Sequence, residues 1–430
     1  MATRCARLRR DEALQASAKR PTEGRLPLKV GPWLPILPWL VVTASCEAPA
    51  GDGLTVPDDR PAVVAHAEQR WAAGGTEERG GLVLEPPVWA AAIAPDGSVA
   101  LVDRSSSVTL VDRDGRLANS LGRAGGGPGE FRDPRGVGFT PDTILWVTDV
   151  ASGRITSFTR NGEVLDTRNQ PLEPVPESPW SARGAQVLEG ESVLGSASGS
   201  EEAVRGDLLP LPVVIWDSAG ALQVVDWVER AAPSGRRIPT DRGLPVSGSQ
   251  PIQGGPVVGA ERLGRWFFVL DRAPAEGPEA HMRITRYTPT GAQLDRLTIP
   301  YEPVPLDDEI MARLEDAASN IARQLPPAAG RVRAADVMEA TWIPTHLPPV
   351  QQVLADEEGF WLRREQFKRA GTWDRYTLEG RWLARLDLPD RFRGLAGTAR
   401  TLVGVSVDSL GTPVLQQFDV EFEEEPDGEG

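Results

Sequence analysis

The chain has 430 residues and a formal net charge of −15, with 46 Lys+Arg against 61 Asp+Glu. Nucleic-acid affinity comes from Lys and Arg displacing counterions around phosphates, so a chain this acidic is a poor fit for DNA or RNA partners. Hydrophobic residues at 40% exclude wholesale disorder, while 44 Gly and 39 Pro suit many short strands and tight turns better than long helices.

At the N-terminal end, basic residues between Arg4 and Lys29 precede an apolar stretch, Trp33 to Val42, that Pro35 and Pro38 interrupt. It is too short for a membrane-spanning helix, which needs about 20 residues. Thr43-Ala44-Ser45-Cys46 follows. Positive flank, short apolar core and small residues at the cut are the parts of an export signal, so 1–45 is read as a signal peptide and 46–60 as a linker. The Ala-Ser-Cys ending resembles the lipobox of bacterial lipoproteins. That resemblance implies an acyl chain on Cys46 and an exported protein anchored to a membrane, facing the periplasm or the cell surface. Thr43 stands where the motif has an aliphatic residue, and the segment is long for such a signal; a true start downstream of Met1 would account for the length.

Beyond residue 60 the dominant signal is an internal repeat. An apolar or aromatic residue, three variable residues, Gly and a following Leu recur as Val111–Leu117, Phe158–Leu165, Trp216–Leu222, Tyr287–Leu294 and Tyr376–Leu383. This is a strand, a tight turn with Gly at positive φ, and a returning strand. A second strand with its own turn precedes several copies, as in Pro95-Asp96-Gly97 before Ser98–Asp103, and a small-residue segment such as Ala90–Ile93 comes before that. Four strands per repeat in meander order make a propeller blade. Five blades are predicted near 88–122, 134–168, 182–228, 255–299 and 349–388. A sixth runs from Gly394 to Phe422 and lacks its last strand, which Pro61–Ala65 can supply to close the ring and remove exposed edges. Two β-sandwiches, the rival architecture, should not repeat one hairpin five times in order. The fold class is therefore all-β: a six-bladed β-propeller of four-stranded antiparallel blades spanning 61–422, with a short helical insertion at 301–348 and an acidic tail at 423–430.

The stretch Leu121-Gly122 to Val137, with Gly125-Gly-Gly-Pro-Gly129-Glu130-Phe131, resembles the blade junction of NHL-repeat six-bladed propellers. Trp146-Val-Thr-Asp149 through Phe158 does so as well. The match is strong over 94–165 and degenerate over 180–422. It implies a propeller that binds a partner and does not imply one reaction.

Extra length is expected on one face only. Turns joining strands one to two and three to four are tight, whereas 169–181, 196–211, 229–254, 271–281, 301–348 and 364–373 all belong to the opposite face, and long loops on one face point to function. In the longest, Ile310, Leu314, Ala317, Ile321 and Leu325 form one stripe of a helix that starts at Asp307-Asp308 and stops at Pro326-Pro327. Its simplest role is to pack on the propeller. Trp146, Trp216, Trp266, Trp361, Tyr287 and Tyr376 are expected in the core.

Chemistry is scarce. The Gly125–Gly129 run has no following Gly-Lys-Ser/Thr, so it reads as a turn and not a phosphate loop. His66, His281 and His346 lie on non-equivalent elements, which argues against a histidine-based metal site, and no Ser sits in a nucleophile elbow. Inner-strand starts would place Arg135, Arg183, Gln351 and Arg393 round the mouth of the central channel, a candidate site for a carboxylate, an anionic sugar or an acidic peptide. The expected function is a non-catalytic binding or scaffold module without cofactor, monomeric, engaging a protein, peptide or glycan at the cell envelope. The alternative is a calcium-dependent hydrolase or lactonase with carboxylates at the central channel.

Overall fold

The computed structural model describes residues 63–423 except 160, 200–209, 230–234, 244, 253, 274–279, 326–329, 365–370 and 390. Cys46, the signal, the linker and nearly all of the acidic tail lie outside the described residues.

Six four-stranded antiparallel sheets form a ring. Blade 1 is Ala90–Ile93, Val99–Val102, Val108–Val111 and Leu117–Leu121, and blade 2 is Pro134–Phe139, Leu145–Asp149, Arg154–Phe158 and Val164–Asn169. Blade 3 is Trp180–Val187, Val193–Gly199, Leu211–Trp216 and Leu222–Val228, and blade 4 is Val257–Ala260, Phe267–Asp271, His281–Tyr287 and Gln293–Pro300. Blade 5 is Val350–Asp356, Gly359–Arg364, Gly371–Thr377 and Trp382–Leu388. In blade 6, Arg393–Thr398, Thr401–Val407 and Pro413–Phe422 are completed by the first strand of the chain, Val63–Gly74. That strand pairs antiparallel with Pro413–Phe422 from Ala65↔Phe422 to Gly74↔Val414, and Val63 and Val64 also pair in parallel with Ala384 and Arg385 of blade 5. The closing strand is thus longer than the sequence pattern suggests, and it joins blades 5 and 6 into one sheet.

The turns follow from the repeated phrase. Asp112 Oδ1 accepts from the N–H groups of Asp114 and Arg116, and Gly115 sits at φ +81°. Asp217 does the same for Ala219 and Ala221. Gly115 has a second constraint: a Cβ there would lie 2.7 Å from the Trp71 ring. The six aromatic residues expected in the core are all buried. Trp146 lies under Gly138 of the neighbouring inner strand, where a Cβ would fall 2.2 Å from its ring, so the small residue is what lets the ring fit.

Blades are stitched on the loop-bearing face (the loop face) by the Asp that ends the second strand. Asp103 accepts from the N–H of Glu85 and Ser105; Asp149 accepts from the N–H of Arg132, Asp133, Ala151 and Ser152. The glycine-rich junction is a turn as expected. Glu130 fills it with its own carboxylate, accepting from the N–H of Gly126 and Gly127 and from Arg123. These donors hold the Glu130 carboxyl below its ordinary value.

Two insertions build a small cap. Helix α1 (Asp308–Gln324), capped by Asp307, packs with helix α2 (Ala334–Glu339) and with the hairpin Gly235–Ile238/Val246–Ser249 from the preceding blade connection. α1 buries Ile310, Leu314 and Ala318. Ile310 and Leu314 pack with Ile252 and Leu347, and Ala318 packs with Ile238 and Val337. The helix therefore leans on the other insertion as well as on its own. Gln250 pins the two, donating to Ala340 O and accepting from Trp342 N. Among the described residues no helix is long and apolar enough to cross a membrane.

Candidate functional site

Each inner strand begins on the loop face and runs toward the turn face. Counting back four residues from Ile93, Phe139, Val187, Ala260, Ala355 and Gly397 gives Trp89, Arg135, Arg183, Pro256, Gln351 and Arg393. One residue per blade thus stands toward the loop-face end of each inner strand, and the four residues singled out in the sequence are among these six. Arg135 and Gln351 are also the extra residues of β-bulges, where the register slips between Pro134 and Gly136 and between Val350 and Gln352. Bulges commonly re-aim a side chain.

Each arginine leans onto a neighbouring blade. Arg135 lies 3.5 Å over the Trp89 ring of blade 1 and donates to Asp133 at 2.7 Å. Arg183 of blade 3 donates to Val150 O of blade 2 at 3.1 Å. Arg393 of blade 6 donates to Val88 O, at the start of blade 1. Arg393 and Arg135 thus reach blade 1, and Arg183 reaches the blade 2 loop at Val150. Arg393 stays partly in water, yet loss of hydration against the protein, together with the like charge of Arg363, lowers its pKa.

Blade 5 is tied differently. Arg272, buried in blade 4, donates to Gly255 O, Val350 O and Gln351 O, so the backbone of Gln351 is held while its side chain remains exposed. Gln352 closes the next seam by donating to Gly394 O. The cap connections leave the outer strands of blades 3 and 4.

The other end of the channel is shut, which sequence reasoning missed. The blade 4 turn Glu261–Gly264 sends Leu263 into the cluster of blades 1 and 2 that holds Ala92, Ala94 and Val137. Arg262 beside it grips Glu357 of blade 5 at 2.9 and 2.8 Å and reaches Ile93 O of blade 1 at 3.4 Å. Backbone bonds from Glu189 N to Gly264 O and from Arg262 N to Ala355 O fix the turn to blades 3 and 5. Glu357 is a bridge between blades whose pKa the Arg262 hydrogen bonds hold at about 2. The only sequence signal was a turn longer than its equivalents. A second feature also escaped the sequence: Leu172–Pro174 pairs with Ser181–Arg183 on the channel side of the blade 3 inner strand.

No group of three or more His, Cys, Asp or Glu side chains among the described residues comes together as metal ligands. His281, expected in a loop by its surroundings, opens the third strand of blade 4.

No family model matches the chain, and no curated protein matches it. Several solved structures align over most of its length. A candidate exported protein from Bacteroides fragilis is 11% identical, covers 84% of this chain and 96% of its own, and has a TM-score of 0.43. The PQQ-bound aldose sugar dehydrogenase from Streptomyces coelicolor is 12% identical, with 84% and 100% covered and a TM-score of 0.39. A gluconolactonase from Xanthomonas campestris is 12% identical, with 87% and 99% covered and a TM-score of 0.39. Likeness at this level carries nothing about chemistry, and the six-bladed propeller rests on the strand pairings described above.

Proposed function

We propose that this chain is a non-catalytic binding or scaffold propeller of the bacterial cell envelope, of NHL-repeat type. It engages an anionic group of a protein, peptide or glycan through its loop face. The observation that carries this reading is the pairing of its arginines. Arg262, Arg265, Arg283, Arg286, Arg364, Arg375 and Arg385 each meet a carboxylate. Arg183 and Arg393, toward the loop face, bond to backbone carbonyls of neighbouring blades and to no carboxylate among the described residues. A guanidinium has five donors in a fork that matches a carboxylate, and these two keep theirs for an outside anion.

The anchoring fits the same picture. Val63 enters the ring at the turn face, beside Ala384, and in this reading the chain is tethered through a lipid on Cys46. Two or more acyl chains make such anchoring stable. No cofactor belongs to this reading. The alternative, a calcium-dependent hydrolase, requires axial carboxylates in a ligand set.

The test is calorimetric titration of the full-length chain with polygalacturonate and polyglutamate, set against Arg183→Ala/Arg393→Ala. Binding by the parent and loss of at least tenfold in the double variant supports the reading. Equal affinity of the two proteins sinks it. Calcium raising the unfolding temperature by several degrees, reversed by chelator, would move the reading to the hydrolase.

A further inference from the structure

Among the described residues, Leu172–Pro174 is the one channel-side strand exposed along its whole length. Every inner strand of the six blades has buried or half-buried residues. Pro171 and Pro174 favour its extended course, because proline fixes its own φ and biases the residue before it toward the β region. Both ends are pinned. The N–H of Gly184 donates to Pro171 O at 2.9 Å, and the N–H of Val175 donates to Trp180 O at 2.8 Å. Val175 is buried in the cluster with Trp146, Ile155 and Trp180. These bonds also fix which way each backbone group points, since bonded and non-bonded pairs alternate along an antiparallel ladder. With Pro171/Gly184 and Val175/Trp180 bonded, Glu173 bonds Ala182, and Leu172 and Pro174 turn their backbone groups away from blade 3. Leu172 N–H, Leu172 O and Pro174 O are thus left without a hydrogen bond among the described residues.

We infer that this edge takes an extended peptide as a further strand, with an acidic residue opposite Leu172 and a basic residue opposite Glu173. This rests on the binding reading above and narrows its partner to a peptide. One donor and two acceptors on a rigid, solvated edge are a template for strand addition. In the antiparallel arrangement, the residue opposite Leu172 donates its N–H to Leu172 O and accepts from Leu172 N–H. Charge sets the side chains. Leu172, 54% exposed, lies on the same face as Arg183, its partner across the ladder, and Arg183 meets no carboxylate among the described residues. A carboxylate opposite Leu172 stands two strand spacings from Arg183, about 10 Å between backbones, which two long side chains can span. Glu173 points to the other face, is exposed, and has no ion pair among the described residues. A Lys directly across from it makes an opposite-charge cross-strand pair.

The experiment titrates the full-length chain, by calorimetry, with a short blocked peptide of Val and Thr residues around a central Glu-Lys pair. Two further peptides keep every side chain but are N-methylated at alternate residues, one in each register. Polygalacturonate is the last probe. The expected result is that the plain peptide binds and that one methylated register, the one whose N–H groups face the edge, binds about tenfold more weakly or worse. The other register should keep its affinity. Leu172→Pro should weaken the plain peptide to a similar extent with an unchanged unfolding temperature, because it deletes the edge donor and no bond within blade 3. If both methylated peptides bind as tightly as the plain one, the strand inference is overturned, whatever Leu172→Pro does to folding. Polygalacturonate binding without peptide binding also overturns it and leaves the broader reading intact. Binding of neither overturns both.

Discussion

Arg375, on the third strand of blade 5, grips Asp356 at the end of the inner strand with both terminal nitrogens, at 2.6 and 2.8 Å. Both side chains are buried, at 1% and 0% exposure, and the guanidinium lies 5.4 Å from the Trp361 ring centroid. Removing one member leaves a buried charge without its partner, which costs about 3–5 kcal/mol. Asp356→Ala should therefore lower the urea midpoint strongly. Replacing both residues with apolar ones of similar volume should recover much of the loss. A double variant no better than the single one would show that the pair's own attraction, and not the stranded charge, sets the cost.

Glu357 links the channel plug to pH. Its carboxyl is held at about 2 instead of 4.5, first by the Arg262 hydrogen bonds. A depressed carboxyl pKa stabilises the fold fully above the unfolded value and loses that stabilisation as pH falls toward the folded value. The window is about pH 4.5 down to 2. With the side chain 36% exposed, solvent screening reduces the contribution to roughly 1 kcal/mol. Glu357→Gln should lower stability at pH 7 and flatten the acid limb of the unfolding curve. An unchanged acid limb would mean that other carboxylates govern it.

Ring closure has its own latch. Asp408 accepts from the N–H and hydroxyl of Thr76 and from the N–H groups of Leu410 and Thr412. The N–H of Thr76 leads the donors that hold it at about 2. Asp408→Asn should speed amide exchange in Val63–Gly74 more than in any blade 2 strand. Uniform acceleration across the ring would show a global effect and refute a latch.

Gly138 tests the crowding of the inner strands. Its ordinary backbone would accept Ala, but the added carbon would fall 2.2 Å from Trp146, and such overpacking costs about 1–3 kcal/mol. The unfolding temperature of Gly138→Ala should drop by several degrees. Full stability would mean that the indole relocates freely.

Six blades were legible because each hairpin repeats an Asp or Thr, a Gly and an aliphatic residue at fixed spacing, which is local turn chemistry. The starts of the inner strands follow from the same register, which is why Arg135, Arg183, Gln351 and Arg393 could be named together from the sequence. The stripe expected for α1 was Ala317, Ile321 and Leu325 after Leu314, yet the structure buries Ala318, since the helix packs against a hairpin contributed by another insertion. The Leu263 plug and the Leu172–Pro174 strand were not legible in the sequence. The plug depends on which blades face one another across the axis, and the strand on a connection that folds back onto its own blade, and the repeat spacing encodes neither.

Ala65 pairs with Phe422, so the first strand of the ring waits for nearly the last segment to emerge before it has a partner. Until then, blade 5 and three strands of blade 6 end in an open hydrogen-bonding edge, and the earliest part of the propeller has nowhere to dock. Contacts of such long sequence separation are slow to form, and exposed edges in partly assembled chains invite pairing with other molecules. The ring of blades therefore cannot lock until the last of its strands is in place.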